Sequence, residues 1–253
     1  MKNNTIEELV SELRTIGTEM RKWEKQGQSP EIKEPIDRLH EAALQVETAW
    51  SGSNIGYHSR VYYDGFKVPP PGVHFSSEWG LHERYSGGTR GSWLEYQYDD
   101  VIQYIEKLAG NSDLSHARAV SKEARKAFEE AKADVISIIS AYVGEHPDNF
   151  LTSLKDTVEK IPIFTTYDAI RGQMPTGQIG SRDSLAMSQG IRQAPHQGIN
   201  GELFALQSAF TACADLGKFA TRAAAHIERL IMAKSTTKSQ GHSVFIGHGR
   251  SLL

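Results

Sequence analysis

Cysteine is almost absent from this sequence of 253 residues, in which Cys213 is the single thiol. One thiol can form neither an intrachain disulfide nor a zinc site built from several thiolates. The disulfide scaffolds of small secreted proteins are therefore excluded, and the composition favours a reducing, cytoplasmic location.

Long apolar runs are missing as well. The N-terminal sequence MKNNTIEELV lacks the apolar core of a secretory signal, and no run approaches the roughly 18 to 20 apolar residues of a membrane span. The formal net charge of −3 provides no overall attraction to nucleic acid or to an anionic membrane. We therefore expect no membrane partner, and the charge does not indicate nucleic acid; any contact with nucleic acid would have to be local.

Motifs of common enzyme classes are also lacking upstream of residue 243. The sequence contains no GxxxxGK[ST] phosphate-binding loop and no GxSxG nucleophile turn. Three histidines, His58, His74 and His82, lie near Glu78 and Glu83, but without the tight spacing that zinc ligands show. We expect no catalytic residue, no metal and no cofactor in this chain.

Helical periodicity of apolar residues is the dominant pattern in the sequence. Apolar residues recur on one face over residues 5–26, where Thr5 and Glu8 have the spacing of a capping box, and a second helix is expected after Ser29 and Pro30. Further helices are predicted over residues 99–110, 113–143, 149–161 and 202–233. Residues 172–201 are predicted to be a long loop with one helical turn near 184–188. The pattern predicts a mainly α fold, a helical bundle.

A small insertion, residues 51–98, interrupts the helices with glycines, turn pairs and aromatic residues. Its segment RVYYDGFKV predicts a β-hairpin about Asp64 and Gly65. Aromatic faces can stack on a ring, and guanidinium groups can bind phosphate or carboxylate. The alternative is that the aromatic residues form the core of a subdomain with few aliphatic side chains. The candidate ligand-binding residues are Arg60, Tyr63, Trp79, Arg84 and Arg90.

The last residues of the sequence have the pattern expected at the start of a new domain. Residues 234–243 have the polar composition of a linker, and the sequence VFIGHGRS follows at 244–251. This stretch resembles the first strand and the strand-to-helix loop of the TIR-like domain in bacterial predicted nucleotide-binding proteins, some of which are antiphage effectors. The nucleotide-binding residues implied by the resemblance are Gly247, His248, Gly249 and Arg250.

The resemblance implies a doubly wound α/β domain, whose ligand would lie beyond the carboxyl end of the first strand. It also implies that the complete protein cleaves NAD+ when assembled, with a glutamate on a helix further downstream. No residue of this sequence can be matched to that glutamate, so we expect the chain itself to be non-catalytic. The final strand, residues 244–246, is expected to be an orphan without the rest of its sheet.

Three functional hypotheses remain open at this point. In the preferred one, residues 1–233 form a sensing and assembly region, 234–243 a linker and 244–253 the start of a truncated TIR-like domain. Such a region would form a homo-oligomer in response to a phage-derived or nucleotide signal. The second hypothesis is a stand-alone helical module that binds a nucleotide, peptide or nucleic acid. The third is a purely structural oligomer, driven by the apolar patch 135–143 and the helix 202–233.

Overall fold

The computed structural model describes residues 5–82 and 88–239, with helical backbone alone over 234–239. Most of these residues are helical, which confirms the mainly α fold. The helices of the described part are α1 (Ile6–Gly27), α2 (Pro30–Glu47), α3 (Tyr98–Leu108), α4 (Ser115–Glu145), α5 (Asn149–Glu159), α6 (Thr166–Gln173), α7 (Ser184–Ser188) and α8 (Pro195–Ser239). Across these residues no helix combines the length and apolar character that crossing a bilayer requires.

Local capping chemistry explains where several helices begin. At the start of α1, the Thr5 amide donates to Glu8 Oε2 at 2.8 Å and the Glu8 amide donates to Thr5 Oγ1 at 3.3 Å, which confirms the predicted capping box. Thr165 and Asp168 form the same reciprocal arrangement at the start of α6. These pairs satisfy amide groups that the first turn of a helix leaves without partners.

Helix α8 begins seven residues before the predicted start, at Pro195, and it continues to Ser239 through part of the segment predicted as a linker. Pro195 suits a first helical turn because that position needs no amide donor. Gly198 and Gly201, read from the sequence as loop residues, are tolerated because neighbours pack against them. A Cβ at Gly201 would lie 2.6 Å from Ile170 Cγ1 of α6. Tertiary packing thus overrides the low helix propensity of glycine.

The predicted hairpin about Asp64 and Gly65 is wrong. Strand β1 (Val61–Tyr63) pairs instead with β2 (Trp93–Glu95), antiparallel, with Tyr63 opposite Trp93. After β1 the chain turns through a short 3-10 segment and then meets three consecutive prolines at 69–71, which have no amide hydrogen for a strand ladder. The partner strand therefore comes from a distant part of the insertion.

The described residues fall into two compact units. The first contains residues 5–19, 131–160 and 216–239. In this unit Gly17 of α1 lies against α8, where a Cβ would be 2.5 Å from Thr221 Oγ1, and the Arg14 guanidinium pairs with the Glu228 carboxylate at 2.5 Å. Its buried core includes Leu13, Val135, Ile139, Leu151 and Ile227.

The second unit contains residues 20–82, 88–130 and 161–215. Helices α2 and α3 pack together in it, and each carries buried aliphatic side chains, among them Ile36 on α2 and Ile105 on α3. The insertion has a small hydrophobic core, formed by Ile55, Tyr57, Val61 and Trp93 together with Ala186 of α7.

Residues 54–56 join this insertion to the segment before α8. The Gly56 amide donates to the Gly190 carbonyl at 2.7 Å, and the Arg192 amide donates to the Asn54 carbonyl at 2.7 Å. Gly56 adopts a φ of +49°, and a Cβ there would collide with the backbone of Ala186. Glycine is required here both for the backbone conformation and for the close approach.

A pair of glycine substitutions tests this junction. Gly52 also has a positive φ, +79°, but nothing lies within 4 Å of its Cβ position. We expect Gly52→Ala to lower the free energy of unfolding by about 1 kcal/mol, and Gly56→Ala to lower it by about 3 kcal/mol or more because a backbone collision is added. Urea denaturation followed by circular dichroism measures both. Equal losses for the two variants would contradict the close approach.

Candidate functional site

The predicted ligand-binding residues that the structure describes each contact a different partner. The Arg60 guanidinium forms an ion pair with the Glu95 carboxylate on β2. Tyr63 is half-buried, and its ring packs edge-on against Trp93, with 5.5 Å between the ring centroids. Both side chains therefore have structural partners inside the insertion.

Trp79 is half-buried, and Arg90 is exposed. The Arg182 guanidinium lies 5.0 Å from the centroid of the Trp79 ring, and its Nε is 2.8 Å from Glu78 Oε1. The backbone of Arg90 pairs with that of His74. Arg84 and the terminal motif residues Gly247, His248, Gly249 and Arg250 lie outside the described residues. The ligand-binding role of the five insertion residues stays a prediction.

A buried polar network lies beneath the insertion. The Asp183 carboxylate accepts hydrogen bonds from the Tyr57 hydroxyl, from His58 Nε2 at 2.9 Å and from the Ala186 amide at 3.1 Å. On the other side of the same imidazole ring, Ser53 Oγ lies 3.2 Å from His58 Nδ1. The network joins residues more than a hundred positions apart and so fixes the segment before α7 against the insertion.

Serine, histidine and aspartate in this order look like a catalytic relay, but burial argues for a structural role. His58 is fully buried, and Ser53 and Asp183 are only 5% and 4% exposed. A nucleophile has to contact its substrate, and this hydroxyl is enclosed. Gly80 closes the site further, because a Cβ there would collide with the Asp183 carboxylate.

The electrostatics of the network agree with a structural role. Burial by itself raises the pKa of Asp183, but the hydrogen bonds from Tyr57, His58 and the Ala186 amide outweigh it and hold this pKa below its usual range. Burial, together with the hydrogen bond to Asp183, raises the pKa of Tyr57 far above its ordinary value. A neutral phenol therefore donates to an ionised carboxylate, which is a strong, charge-assisted hydrogen bond.

Removing one hydroxyl tests this contribution. We expect Tyr57→Phe to lower the free energy of unfolding by about 2 kcal/mol, because a buried carboxylate loses a charge-assisted donor. Tyr63→Phe is the matched control on the neighbouring strand, and we expect a change within about 0.5 kcal/mol. Chemical denaturation of both variants at neutral pH is the measurement. A Tyr57→Phe protein as stable as the original would argue against the network as a structural tie.

A second buried contact lies at the start of α8. His196 and Tyr62 are both fully buried, and the Tyr62 hydroxyl lies 2.9 Å from His196 Nδ1. The Trp50 ring packs edge-on against the imidazole at 5.0 Å, and His196 Nε2 has no hydrogen-bond partner among the described residues. Burial lowers the pKa of His196 to about 4. The imidazole is therefore neutral at physiological pH.

The lowered pKa of His196 predicts a loss of stability in mild acid. The unfolded chain, with a histidine pKa near 6.5, takes up this proton before the folded chain does, so stability is complete above about pH 6.5 and falls as the pH approaches 4. We expect the free energy of unfolding to fall by about 2.5 kcal/mol from this group between pH 7 and pH 4.5.

His196→Gln is the control for this prediction, because glutamine keeps a hydrogen-bonding side chain that does not titrate. Urea denaturation across the same pH range should show a smaller loss for the variant. If the two proteins lose stability in parallel, another group is responsible for the acid sensitivity.

A cavity of about 550 Å3 lies between α2, α6 and α8 in the second unit. This volume is within the roughly 300 to 1,000 Å3 range of small-molecule sites. Its apolar surface is provided by Ile36, Phe164, Ala169, Leu203 and Phe204. Its polar side chains are His40, Asp168, Gln173, Asn200 and Gln207. An apolar interior with a few polar groups is the usual arrangement of a ligand-binding site.

Two side-chain pairs define the geometry of this cavity. The Phe164 and Phe204 rings lie 5.3 Å apart at an angle of 54°, and Phe204 is 48% exposed although it is large and apolar. His40 Nδ1 and Asn200 Oδ1 are 3.1 Å apart. Because an amide oxygen can only accept, His40 donates from Nδ1, and the amide NH2 group of Asn200 has no partner within the described parts of the chain.

Sequence reasoning missed this cavity because its three parts are distant in the chain. Helix α6 was not predicted, and the first turns of α8 were read as loop. The available signal was the T-x-x-D spacing of Thr165 and Asp168, which has the form of a capping box. Over residues 5–82 and 88–239, no group of three or more His, Cys, Asp or Glu side chains is arranged to hold a metal ion.

Comparison with known proteins leaves the chain without a matching family model, curated protein or solved structure. The function has to be argued from the residues themselves. The cavity between α2, α6 and α8 has the size and lining of a ligand-binding site. The buried networks at Asp183 and His196 stabilise the surrounding structure.

Proposed function

We propose that this chain is the sensing and assembly region of a bacterial antiphage effector with a TIR-like domain, and that the region is itself non-catalytic. The observation that carries the proposal is the sequence VFIGHGRS at 244–251, which follows a helical region and a polar segment. In this proposal the TIR-like domain continues beyond residue 253 and cleaves NAD+ when several copies assemble into a homo-oligomer.

The helical region supports the proposal by offering a site for a signal. The cavity is lined on one side by α8, the helix that leads along the chain toward the terminal motif. Asn200, Leu203 and Phe204 contribute to this lining. A ligand held there would contact the last helix before the motif, and the activating phage-derived or nucleotide signal would act on this region.

A second candidate function is a stand-alone binding module without an associated enzyme. The same cavity favours it, because a site of ligand size with unpaired polar groups is sufficient for binding alone. The purely structural oligomer has less support. Val135, Ile139 and Tyr142 of the predicted apolar patch, and Leu216 and Ile227 of α8, are buried within the chain, so these side chains are not available for an intermolecular contact.

Cleavage of NAD+ by the complete gene product tests the effector function. The complete protein, fused to a chemically inducible dimerisation module, is expected to consume NAD+ when the inducer is added. Residues 1–253 fused to the same module are the matched control and should leave NAD+ unchanged. Chromatographic quantification of NAD+ and nicotinamide is the measurement. If the assembled complete protein also leaves NAD+ intact, the effector function is wrong and the stand-alone binding module remains.

A further inference from the structure

The charge of the cavity between α2, α6 and α8 restricts what it can hold. Asp168 is the single ionisable acid among its lining residues, and no lysine or arginine lines it. Hydrogen bonds from the Thr165 hydroxyl and amide hold the pKa of Asp168 below its usual range, so this carboxylate is ionised at neutral pH. Arg125 and Arg171 are near enough to contribute to this effect, but neither lines the cavity. An anionic group inside the cavity would therefore meet a like charge in the lining itself, where no cationic side chain is present.

The apolar part of the cavity favours a flat ring system. The Phe164 and Phe204 rings are tilted with respect to each other at 5.3 Å, and Phe204 keeps almost half of its surface exposed. An aromatic ligand would cover this surface through edge-on or offset contacts, which aromatic pairs prefer. Leu203 and Ile36 form a buried aliphatic base below them.

Besides Asp168, the polar part of the lining includes uncharged side chains that can form hydrogen bonds. Asn200 offers an amide NH2 group, and the Gln207 side chain has no hydrogen-bond partner in the ranges that the structure describes. Since His40 donates from Nδ1 to Asn200 Oδ1, its Nε2 is left free to accept in the neutral tautomer. The lining thus offers both a donor and an acceptor, which the edge of an amide or of a heterocyclic ring can pair with.

We propose that the cavity binds a small, flat ligand without negative charge, which has an apolar ring system and one hydrogen-bonding edge. The inference rests on the proposed function, in which the helical region senses a ligand, and it names the chemical class of that ligand. It excludes a nucleotide from this cavity, because nucleotide phosphates are anionic. A neighbouring cavity of about 300 Å3 provides a contrast, since its lining includes Arg118, Lys122 and Arg125 with Glu202 as its single acid.

Two fluorescent probes with the same ring system distinguish a preference for a neutral ligand from a preference for an anionic one. N-phenyl-1-naphthylamine is uncharged, and 8-anilino-1-naphthalenesulfonate adds one sulfonate group to the same skeleton. Titration of the full 253-residue chain should give saturable binding of the neutral probe, at least about tenfold tighter than binding of the sulfonate. Equal or tighter binding of the sulfonate would overturn the ligand class, and absence of saturable binding of the neutral probe would overturn the inference.

Substitutions locate the bound probe. Ala169→Trp places an indole ring in the cavity and should weaken binding of the neutral probe at least about tenfold. Tyr167→Trp is the matched control, because Tyr167 lies on the same helix, is 68% exposed and does not line the cavity. We expect its affinity to stay within about twofold of the original. If Ala169→Trp unfolds the protein, as judged by circular dichroism, Gln207→Trp replaces it. Undiminished binding in a folded cavity variant would place the ligand elsewhere.

Asp168→Asn tests the charge argument directly. Removing the carboxylate should strengthen binding of the sulfonate about threefold to tenfold relative to binding of the neutral probe by the same variant. A sulfonate affinity that does not rise relative to that of the neutral probe would overturn the role of Asp168. These outcomes are distinguishable from failure of the effector function, because NAD+ cleavage is measured on the complete protein without either probe. Loss of NAD+ cleavage with intact probe binding would leave the ligand class standing.

Discussion

Burial of the Asp183 carboxylate is the constraint on which the second unit depends. An ionised group taken from water has to recover its hydrogen bonds from the protein, or the fold loses several kcal/mol. Tyr57, His58 and the Ala186 amide supply those bonds, and they come from segments that are far apart in the sequence. The insertion and the segment before α8 therefore have to be in place together. Gly80 contributes by having no side chain where the carboxylate lies.

Aromatic rings of the insertion pack around the same network, since the Tyr57 and Phe75 rings both contact His58 edge-on. Several of these rings are used in packing: Tyr63 with Trp93, Phe75 with Trp93, and Phe75 with His58. A subdomain with few aliphatic residues has to build its interior from such rings. Its polar atoms are similarly occupied, since the ring nitrogens and hydroxyls of the buried network bind one another. The insertion thus holds the start of α8 in position, and the turns of α8 that follow help to form the cavity.

Sequence periodicity was sufficient for the helices that begin with strong local signals. Helix α1 has a capping box, α2 has a proline in its first turn, and a helical turn was predicted at 184–188 within the loop 172–201. The pairing of β1 with β2 could not be predicted in this way, because it depends on residues thirty positions apart. Helix α6 and the first turns of α8 were missed for a related reason. Gly198 and Gly201 lower helix propensity locally, and the packing that compensates comes from Tyr98 and Ile170.

The same dependence on packing between distant residues explains why the cavity could not be predicted from the sequence. A ligand site built on one loop leaves a motif with fixed spacing, whereas this one takes Ile36 and His40 from α2, Ala169 from α6 and Phe204 from α8. The structure itself supplies a further observation: Phe204 is 48% exposed, although Leu203, Leu206 and Phe210 on the same helix are buried. Covering the exposed Phe204 ring would remove apolar surface from water, which is favourable. A flat ligand without negative charge could do this and could also pair with the Asn200 amide.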